Sequence, residues 1–525
     1  MPPADRGLWP IPRVLSMCGE AQEPEDAELT RHAIVIGLLA LWTALFLPRQ
    51  CLAGPWLDPG DSGLRHDIQI LADEGAIPGP VLTWPLSVAD LSEALERAPS
   101  GLSDAGLAAL ARVSSRLVYE KSTGRVRTTA HASAAQNPRQ IRAFEDGPRE
   151  DAEVGLGVEW TGERFGMRLE GQWVDDPDDG KELRADGSWI GVALGNWKLA
   201  GSIADRYWGP GWQSSMIMSN NARPLPSIVL DRNLTTAPES KWLSWIGPWD
   251  LSILYSFLDD DRILEDAQQV SIRFDFRPAP RWELGVTVMG QFCGDGEGCG
   301  VDELFDMLTG QGDTLEYDRL ASWDIRWTTK GFGQPLALYT HWVGEDFGDG
   351  SLRLVLPTKL FAQFGIETWG YRDGWGSYRL YAEWADTECD FNLYRKVTFD
   401  GGGGKSGCAY WNRVYRTGQR YRGRVYGHSF DQDSSVATVG GMLVTERDQT
   451  WLATLAYGTL NRRGQTRSVA ATNQTRYGEV EVTHVRPFWI GRLSLGLGYE
   501  YRDDEVLDET NHDVRAFMKW EVASF

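Results

Sequence analysis

The sequence predicts an all-β fold, an 18-stranded antiparallel transmembrane β-barrel of the outer-membrane type preceded by a small α-helical module. Three observations carry that expectation. From about residue 119 the apolar residues alternate with polar ones at period 2, in runs 9–13 residues long, the length of tilted membrane strands rather than of sandwich strands. Read back from the C-terminus, the connections alternate long and short, as barrels with short periplasmic turns and long outer loops require. The chain of 525 residues is also rich in glycine (58) and tryptophan (24), a Gly- and aromatic-rich all-β composition.

Composition excludes the main alternatives. With 52 basic and 74 acidic residues the net charge is −22, which repels nucleic-acid phosphate, so no nucleic-acid partner is expected. An apolar content of 42% excludes general disorder. A mean hydropathy of −0.35 with one long apolar run excludes a multi-helix membrane protein.

That run, Ala33–Leu47, spans 15 residues, short for a membrane helix and suited to the core of a signal peptide. Arg31 precedes it, and small residues at Cys51 and Ala53 suit a cut after Ala53. The acidic stretch Glu20–Glu28 lies upstream of any normal signal, so translation is expected to start near Leu29. Residues 1–53 thus read as extension and signal peptide, 54–118 as a periplasmic helical module, and 119–525 as the barrel. In the module, Leu64, Ile68, Leu71 and Ala72 form one helical face, with Asp61 or Ser62 as cap and Gly75 as stop. Ser87 and Asp90 suggest a capping box for a second helix. A third begins at Ser103, with Leu107, Leu110, Ser114 and Leu117 on one face.

Within the barrel, Leu493, Leu495, Leu497, Tyr499 and Tyr501 share one face, and Arg492, Ser494, Glu500 and Arg502 share the other. Val270, Ile272, Phe274 and Phe276 likewise oppose Ser271, Arg273, Asp275 and Arg277. The pairing of Arg with Asp or Glu on the polar faces suits a crowded lumen. Seventeen strands are read directly, and the alternation slips once, between residues 206 and 248. An eighteenth strand is expected in Leu225–Leu243. The long connections are 503–512, 460–473, 386–432, 344–356 and 293–316. Phe525, a terminal aromatic of the kind outer-membrane strands often carry, is out of phase with Trp520 and Val522.

Four cysteines remain after the predicted cut, in two local pairs, Cys293/Cys299 and Cys389/Cys408, both inside outer loops. An exported chain favours two disulfides. Zinc is the rival, but neither pair is C-x2-C and no histidine stands at a ligand spacing. Other apparent motifs dissolve. Gly60-Asp61-Ser62-Gly63 is a helix start rather than a nucleophile loop. Gly401–Ser406 has Phe399 where a phosphate-binding loop needs its first glycine. No H-E-x-x-H occurs, so no metal, no cofactor and no enzymatic activity are expected.

Three stretches remain. Asp205-Arg206-Tyr207-Trp208-Gly209-Pro210-Gly211-Trp212 leads into Ser219-Asn220-Asn221-Ala222-Arg223-Pro224 and Leu230-Asp231-Arg232. Tyr415–Arg424 (YRTGQRYRGR) leads into Gly427-His428-Ser429 and Asp431. Arg65-His66-Asp67 opens the first helix. Together with Trp84-Pro85-Leu86, these resemble the Wzi family of outer-membrane capsule-assembly proteins, from about residue 56 to the C-terminus. The resemblance implies an 18-stranded barrel with a periplasmic helical bundle and a lectin-like role in holding capsular or extracellular polysaccharide at the cell surface. The expected partners are that polysaccharide, outer-membrane lipids and other components of polysaccharide export.

The residue types fit sugar, since Trp and Tyr rings stack on pyranose C–H faces while Arg and Asp bond hydroxyls and uronate carboxylates. The candidate ligand residues are Trp208, Trp212, Arg223, Asp231, Arg232, Tyr421, Arg422, Arg424, His428 and Asp431. Trp208, Trp212, Arg223, Tyr421, Arg422 and Arg424 are expected to converge near the outer mouth. Loop packing competes for the two tryptophans, and a lumenal ion-pair network competes for Arg422, Arg424 and Asp431. A porin-like channel for sugars or anionic solutes is the alternative function.

Overall fold

The computed structural model describes residues 56–309, 317–331, 333–347, 357–389, 407–465 and 467–523. The signal-peptide run, its cut at Ala53, the Gly401–Ser406 tip and Phe525 lie outside them. Three helices come first: α1 (Ser62–Asp73), α2 (Val88–Glu96) and α3 (Asp104–Glu120), and a fourth, α4 (Val301–Thr309), sits in a later loop.

Eighteen antiparallel strands then close on themselves. They are β1 (Val126–Gln136), β2 (Ala152–Thr161), β3 (Phe165–Asp175), β4 (Trp189–Leu194), β5 (Trp197–Ser202) and β6 (Ser227–Arg232). Next come β7 (Trp249–Phe257), β8 (Gln268–Ala279), β9 (Trp282–Phe292), β10 (Asp318–Gly331), β11 (Gln334–Phe347) and β12 (Pro357–Arg372). The wall ends with β13 (Gly376–Asp386), β14 (Ser435–Thr445), β15 (Thr450–Leu460), β16 (Thr475–Phe488), β17 (Gly491–Asp504) and β18 (Glu509–Ala523). Closure is made by β18 against β1, with Phe517 opposite Ala135. A two-residue segment, Leu183–Arg184, pairs with β3 ahead of β4. The missing strand of the sequence reading is β6, inside the stretch where the alternation slips.

The alternation read from the sequence sorts the wall. Leu156, Ile190, Leu380, Leu455 and Leu497 are exposed on its outer side, where lipid satisfies them. The inward positions carry buried ion pairs: Arg273 Nη1 to Asp324 at 2.8 Å, Arg326 Nη2 to Glu367 at 2.6 Å and Arg515 Nη1 to Glu500 at 2.8 Å. A ladder closed on itself leaves no unpaired edge in the hydrocarbon.

One end of the barrel carries short turns, such as 195–196, 280–281 and 489–490, with 233–248 as its one long connection. The other end carries the long loops. The expected long loop at 503–512 is instead a hairpin, because β17 runs to Asp504 and β18 starts at Glu509. Asp504 Oδ1 accepts from Val506 N and Leu507 N and closes the turn. Strand pairing there continues beyond the lipid, where solvent wets both faces and the period-2 signal disappears.

The helical module lies inside the short-turn end of the lumen. Asp61 caps α1 by accepting from Leu64 N at 2.9 Å, and Gly75 follows with φ +83°. Ile68, Leu71 and Ala72 are buried as the periodicity predicts, yet Arg65, His66, Asp67 and Gln69 are buried too. Their partners explain why. Asp67 takes a bidentate pair from Arg112 of α3 at 2.7 and 2.6 Å, and Arg112 also donates to Ser377 at the start of β13. Asp73, at the end of α1, pairs with Arg326 of β10 at 2.6 Å.

Two helical details differ from expectation. Ser87 makes no cap hydrogen bond. It donates to Asn233 instead, while Asp90 accepts from Thr235 N and Oγ1 at 2.7 and 2.8 Å, pinning α2 to the 233–248 connection. On α3 the buried stripe is Ala105, Ala109, Val113 and Leu117; of the expected face Leu117 is buried and Leu110 packs on the core, while Leu107 is exposed. Small residues let α3 lie close to α1, a contact that leucine spacing alone does not reveal.

Candidate functional site

The long-loop end is closed from inside. The β5–β6 connection (203–226) folds down into the lumen, and Tyr207–Trp208 pair as a short antiparallel ribbon with Thr83–Trp84 of the module. Gly209 permits the approach, with φ +137° and a Cβ position 2.6 Å from His341 Nδ1. Tyr207 Oη donates back to Gly211 O at 2.7 Å. Arg65 of α1 reaches up to the same turn and donates to the carbonyls of Gly209, Pro210 and Gly211 at 3.4, 2.8 and 2.7 Å. Its guanidinium stands 4.4 Å from the Phe144 ring centroid and 4.3 Å from that of Trp212.

The Asn-rich motif does similar work. Asn220 Nδ2 donates to Phe144 O and Asn221 Nδ2 to Val425 O. Arg149 meanwhile holds the carbonyls of Asn220, Asn221 and Ala222 at 2.9–3.1 Å. The β1–β2 connection, which carries Phe144 and Arg149, therefore also folds inward, and Asp146 N donates to Gly60 O of the module. Lumen-facing Leu254, Met289, Leu320, Val343 and Phe361 pack with Trp208, Met216, Tyr410 and Tyr426 in one apolar cluster. A small pocket remains between residues 135–148 and β16–β18.

The candidate ligand residues divide into two groups. Six are interior. Trp208 is 0% and Trp212 4% exposed. Trp212 Nε1 donates to Glu367 at 2.7 Å, and its ring stacks on Tyr381. Asp231 accepts from Arg206 and, at 2.5 Å, from Ser252. The Arg232 guanidinium lies 3.4 Å above the Trp249 ring. His428 is fully buried, which pushes its imidazole down to about 3 and keeps it neutral. Asp431 pairs with Arg420 at 2.7 Å.

The other four meet at the long-loop rim. Arg420–Tyr421 and Arg424–Val425 form a two-stranded hairpin turned by Arg422 and Gly423, both at positive φ (50° and 80°), which matches a tight two-residue loop. This presents Arg422 and Arg424 at a tip while the Tyr421 ring is buried beneath them in the apolar cluster, and each cation is compensated. Arg422 Nη1 pairs with Asp261 at 3.0 Å, and Arg424 Nη2 with Asp178 at 3.0 Å and with Gln140 Oε1. Arg223 is clamped by Asp186 at 2.7 and 2.8 Å and by Asp179 at 2.5 Å. The expected convergence thus holds for Arg223, Tyr421, Arg422 and Arg424, while the tryptophans lie deep in the lumen. Stacking and packing made Trp208 and Trp212 indistinguishable from sugar platforms in the sequence.

Both cysteine pairs are disulfide-bonded, Cys293–Cys299 and Cys389–Cys408. Tyr415 Oη donates to Cys293 O at 2.9 Å and so ties the β13–β14 loop to the β9–β10 loop. Among the described residues no three His, Cys, Asp or Glu side chains gather where a metal could sit. Sequence reasoning missed the role of Arg65, whose signal was its place in the Arg65-His66-Asp67 run beside the apolar face of α1. It also passed over Trp411 and Arg467, which meet at 3.7 Å.

A closed wall with lipid-facing leucines, a charged lumen and a plug entering from both ends defines an outer-membrane β-barrel that is filled rather than open. The family model of the capsule assembly protein Wzi matches residues 121–516, and the chain belongs to that family. It is 28% identical over 447 residues to an uncharacterised 55.8 kDa protein of the cps region of Klebsiella pneumoniae, with 83% of each chain covered. Its structure is similar to that of Wzi from Escherichia coli, at a TM-score of 0.77 and 25% identity, covering 89% of this chain and 99% of that one. That protein is described as an outer-membrane, carbohydrate-binding β-barrel involved in group 1 capsule assembly.

Proposed function

We propose that this protein anchors or organises capsular or extracellular polysaccharide on the cell surface by binding it, without chemical turnover. The observation that carries the reading is the filled lumen: Tyr207–Trp208 and Thr83–Trp84 join the inward loop to the helical module across the barrel interior. A wall closed in this way favours holding a glycan outside over passing solutes through, as the porin-like alternative would need. The described Wzi of E. coli supports carbohydrate as the ligand class.

In this reading the short-turn end, with the module of residues 54–118, faces the periplasm, and residues 1–53 direct export. The long loops face outward, and both disulfides stiffen them. Arg422, Arg424 and Arg223 contact the glycan at the rim, over the buried Tyr421 ring. Trp208, Trp212, Asp231, Arg232, His428 and Asp431 hold the loops that present it. Lipids contact the apolar wall, and export components deliver the polymer.

The test is a glycan array probed with purified protein, combined with capsule retention on cells. Binding to a defined glycan and loss of attached capsule on deletion support anchoring. No glycan binding together with a normal attached capsule rejects it. Release of oligosaccharide fragments from native capsule on incubation would instead make the protein a hydrolase.

A further inference from the structure

The rim cations that motif composition singled out are neutralised by Asp178, Asp179, Asp186 and Asp261, so they add no net positive field. In a chain of net charge −22, an acidic polymer needs cations that lack such partners. Three stand close by, on the β13–β14 and β15–β16 loops. Arg413, Arg416 and Arg467 are exposed, and among the described residues none of them pairs with a carboxylate.

Their arrangement is built rather than incidental. Arg467 stands over the Trp411 indole, with its Cζ 3.7 Å from the ring centroid. A guanidinium held over a ring face is positioned for bidentate capture of a carboxylate. The two loops are bolted together beneath it. Arg420 Nη2 donates to Arg467 O at 2.9 Å and pairs with Asp431, which also accepts from Val469 N at 2.7 Å. Asp431 therefore serves Arg420 and the Val469 backbone. Trp411 N donates to Glu345 at 3.3 Å, and Arg416 Nε donates to Arg413 O at 3.1 Å. Burial and the nearby Arg416 cation both lower the Arg467 guanidinium.

We propose that Trp411, Arg413, Arg416 and Arg467 form a binding site for the carboxylate groups of an acidic glycan. This rests on the anchoring reading and gives it a ligand class, a polymer carrying uronate or other carboxyl substituents. Arg467 supplies a planar fork, and Arg413 and Arg416 supply a second and third charge along the chain.

The experiment measures binding of polygalacturonate, its methyl-esterified form and neutral dextran to purified full-length protein. The triple variant Arg413→Gln, Arg416→Gln, Arg467→Gln is compared with a control triple at the opposite end, Arg164→Gln, Arg281→Gln, Arg372→Gln. All six positions are exposed, and heat-modifiable gel mobility verifies folding. The expected result is polygalacturonate affinity reduced at least about tenfold, or about 1.4 kcal/mol, in the first triple only. Its salt dependence should be shallower, and the esterified polymer should bind weakly even to the wild type. Unchanged affinity in the first triple, equal loss in the control, or equal binding of the esterified polymer overturns the proposal. If those failures occur while deletion of the protein still releases capsule from cells, anchoring stands and only this site falls. Wild-type protein that binds neither charged nor neutral polymer, on cells that keep their capsule, removes both.

Discussion

The Arg65 guanidinium sits 4.3 Å from the centroid of the Trp212 indole, and its Nη1 donates to Gly211 O at 2.7 Å. One residue belongs to the first helix of the module and the other to a loop that enters from the opposite end. Their contact joins the two halves of the plug, each of which is also tied to the wall, through Arg112–Ser377 below and Trp212–Glu367 above.

Arg65→Ala should loosen that joint without opening the wall. The variant leaves the Gly209 and Pro210 carbonyls without the Arg65 donor, while Gly211 O keeps Tyr207 Oη, and it removes the cation from between aromatic rings. Unsatisfied buried acceptors cost about 1–3 kcal/mol each, so a loss of about 3 kcal/mol is expected. Limited proteolysis of purified protein should cut residues 56–120 faster than in wild type while heat-modifiable gel mobility persists. Unchanged cutting would show that the joint contributes little.

Full-length protein reconstituted in planar bilayers should give no steady open-channel current, because the lumen is occupied by the module and the inward loops. Stable currents from the intact protein would restore the channel reading.

Reduction should free the outer loops but leave the barrel standing. Cys293–Cys299 closes a separation of 6 residues and Cys389–Cys408 one of 19, so the second constrains the unfolded chain more. Neither lies in the wall ladder. With reductant, protease added to intact cells should nick residues 386–432 or 293–316 faster, and the folded gel band should stay. Cleavage confined to broken cells would place these loops in the periplasm and invert the orientation.

Stability should depend on pH through Glu145, whose carboxylate accepts from Ser62 N at the start of α1. Burial, reinforced by the Asp61 carboxylate, pushes its carboxyl up from 4.5 to about 8. The folded state thus holds this proton more tightly than the unfolded chain. The contribution is fully present below about pH 4.5 and is lost as pH rises through 8. Glu145→Gln keeps an acceptor and removes the titration. Melting temperatures of wild type and variant should diverge between pH 5 and 8 (the wild type falling more), and parallel curves would rule this out.

How much of this was legible without coordinates follows from which physical constraint each residue obeys. The wall was readable because lipid enforces period 2, as at Leu493–Tyr501, and because turns alternate in length. β6 escaped direct reading since only Ser227–Arg232 are strand and the preceding loop folds inward. Trp208, Trp212 and the Asn220–Asn221 pair were recognised as special, but their partners (Thr83, Glu367, Phe144 and Val425) lie far away in sequence. A composition suited to sugar is equally suited to a plug, since both need flat rings, guanidinium forks and amides. Charge compensation at Arg223, Arg422 and Arg424 depends on loops whose meeting no local pattern encodes. The same holds for the clustering of Arg413, Arg416 and Arg467.

The module precedes β1 in the chain, yet its contacts span the wall from Lys198 of β5 to Ser377 and Arg379 of β13. The wall shuts where β18 meets β1, at Phe517 and Ala135. β5 and β13 stand on nearly opposite sides of the 18-stranded cylinder, so the module is an internal strut that ties those sides together across the interior and does not depend on the seam for its hold.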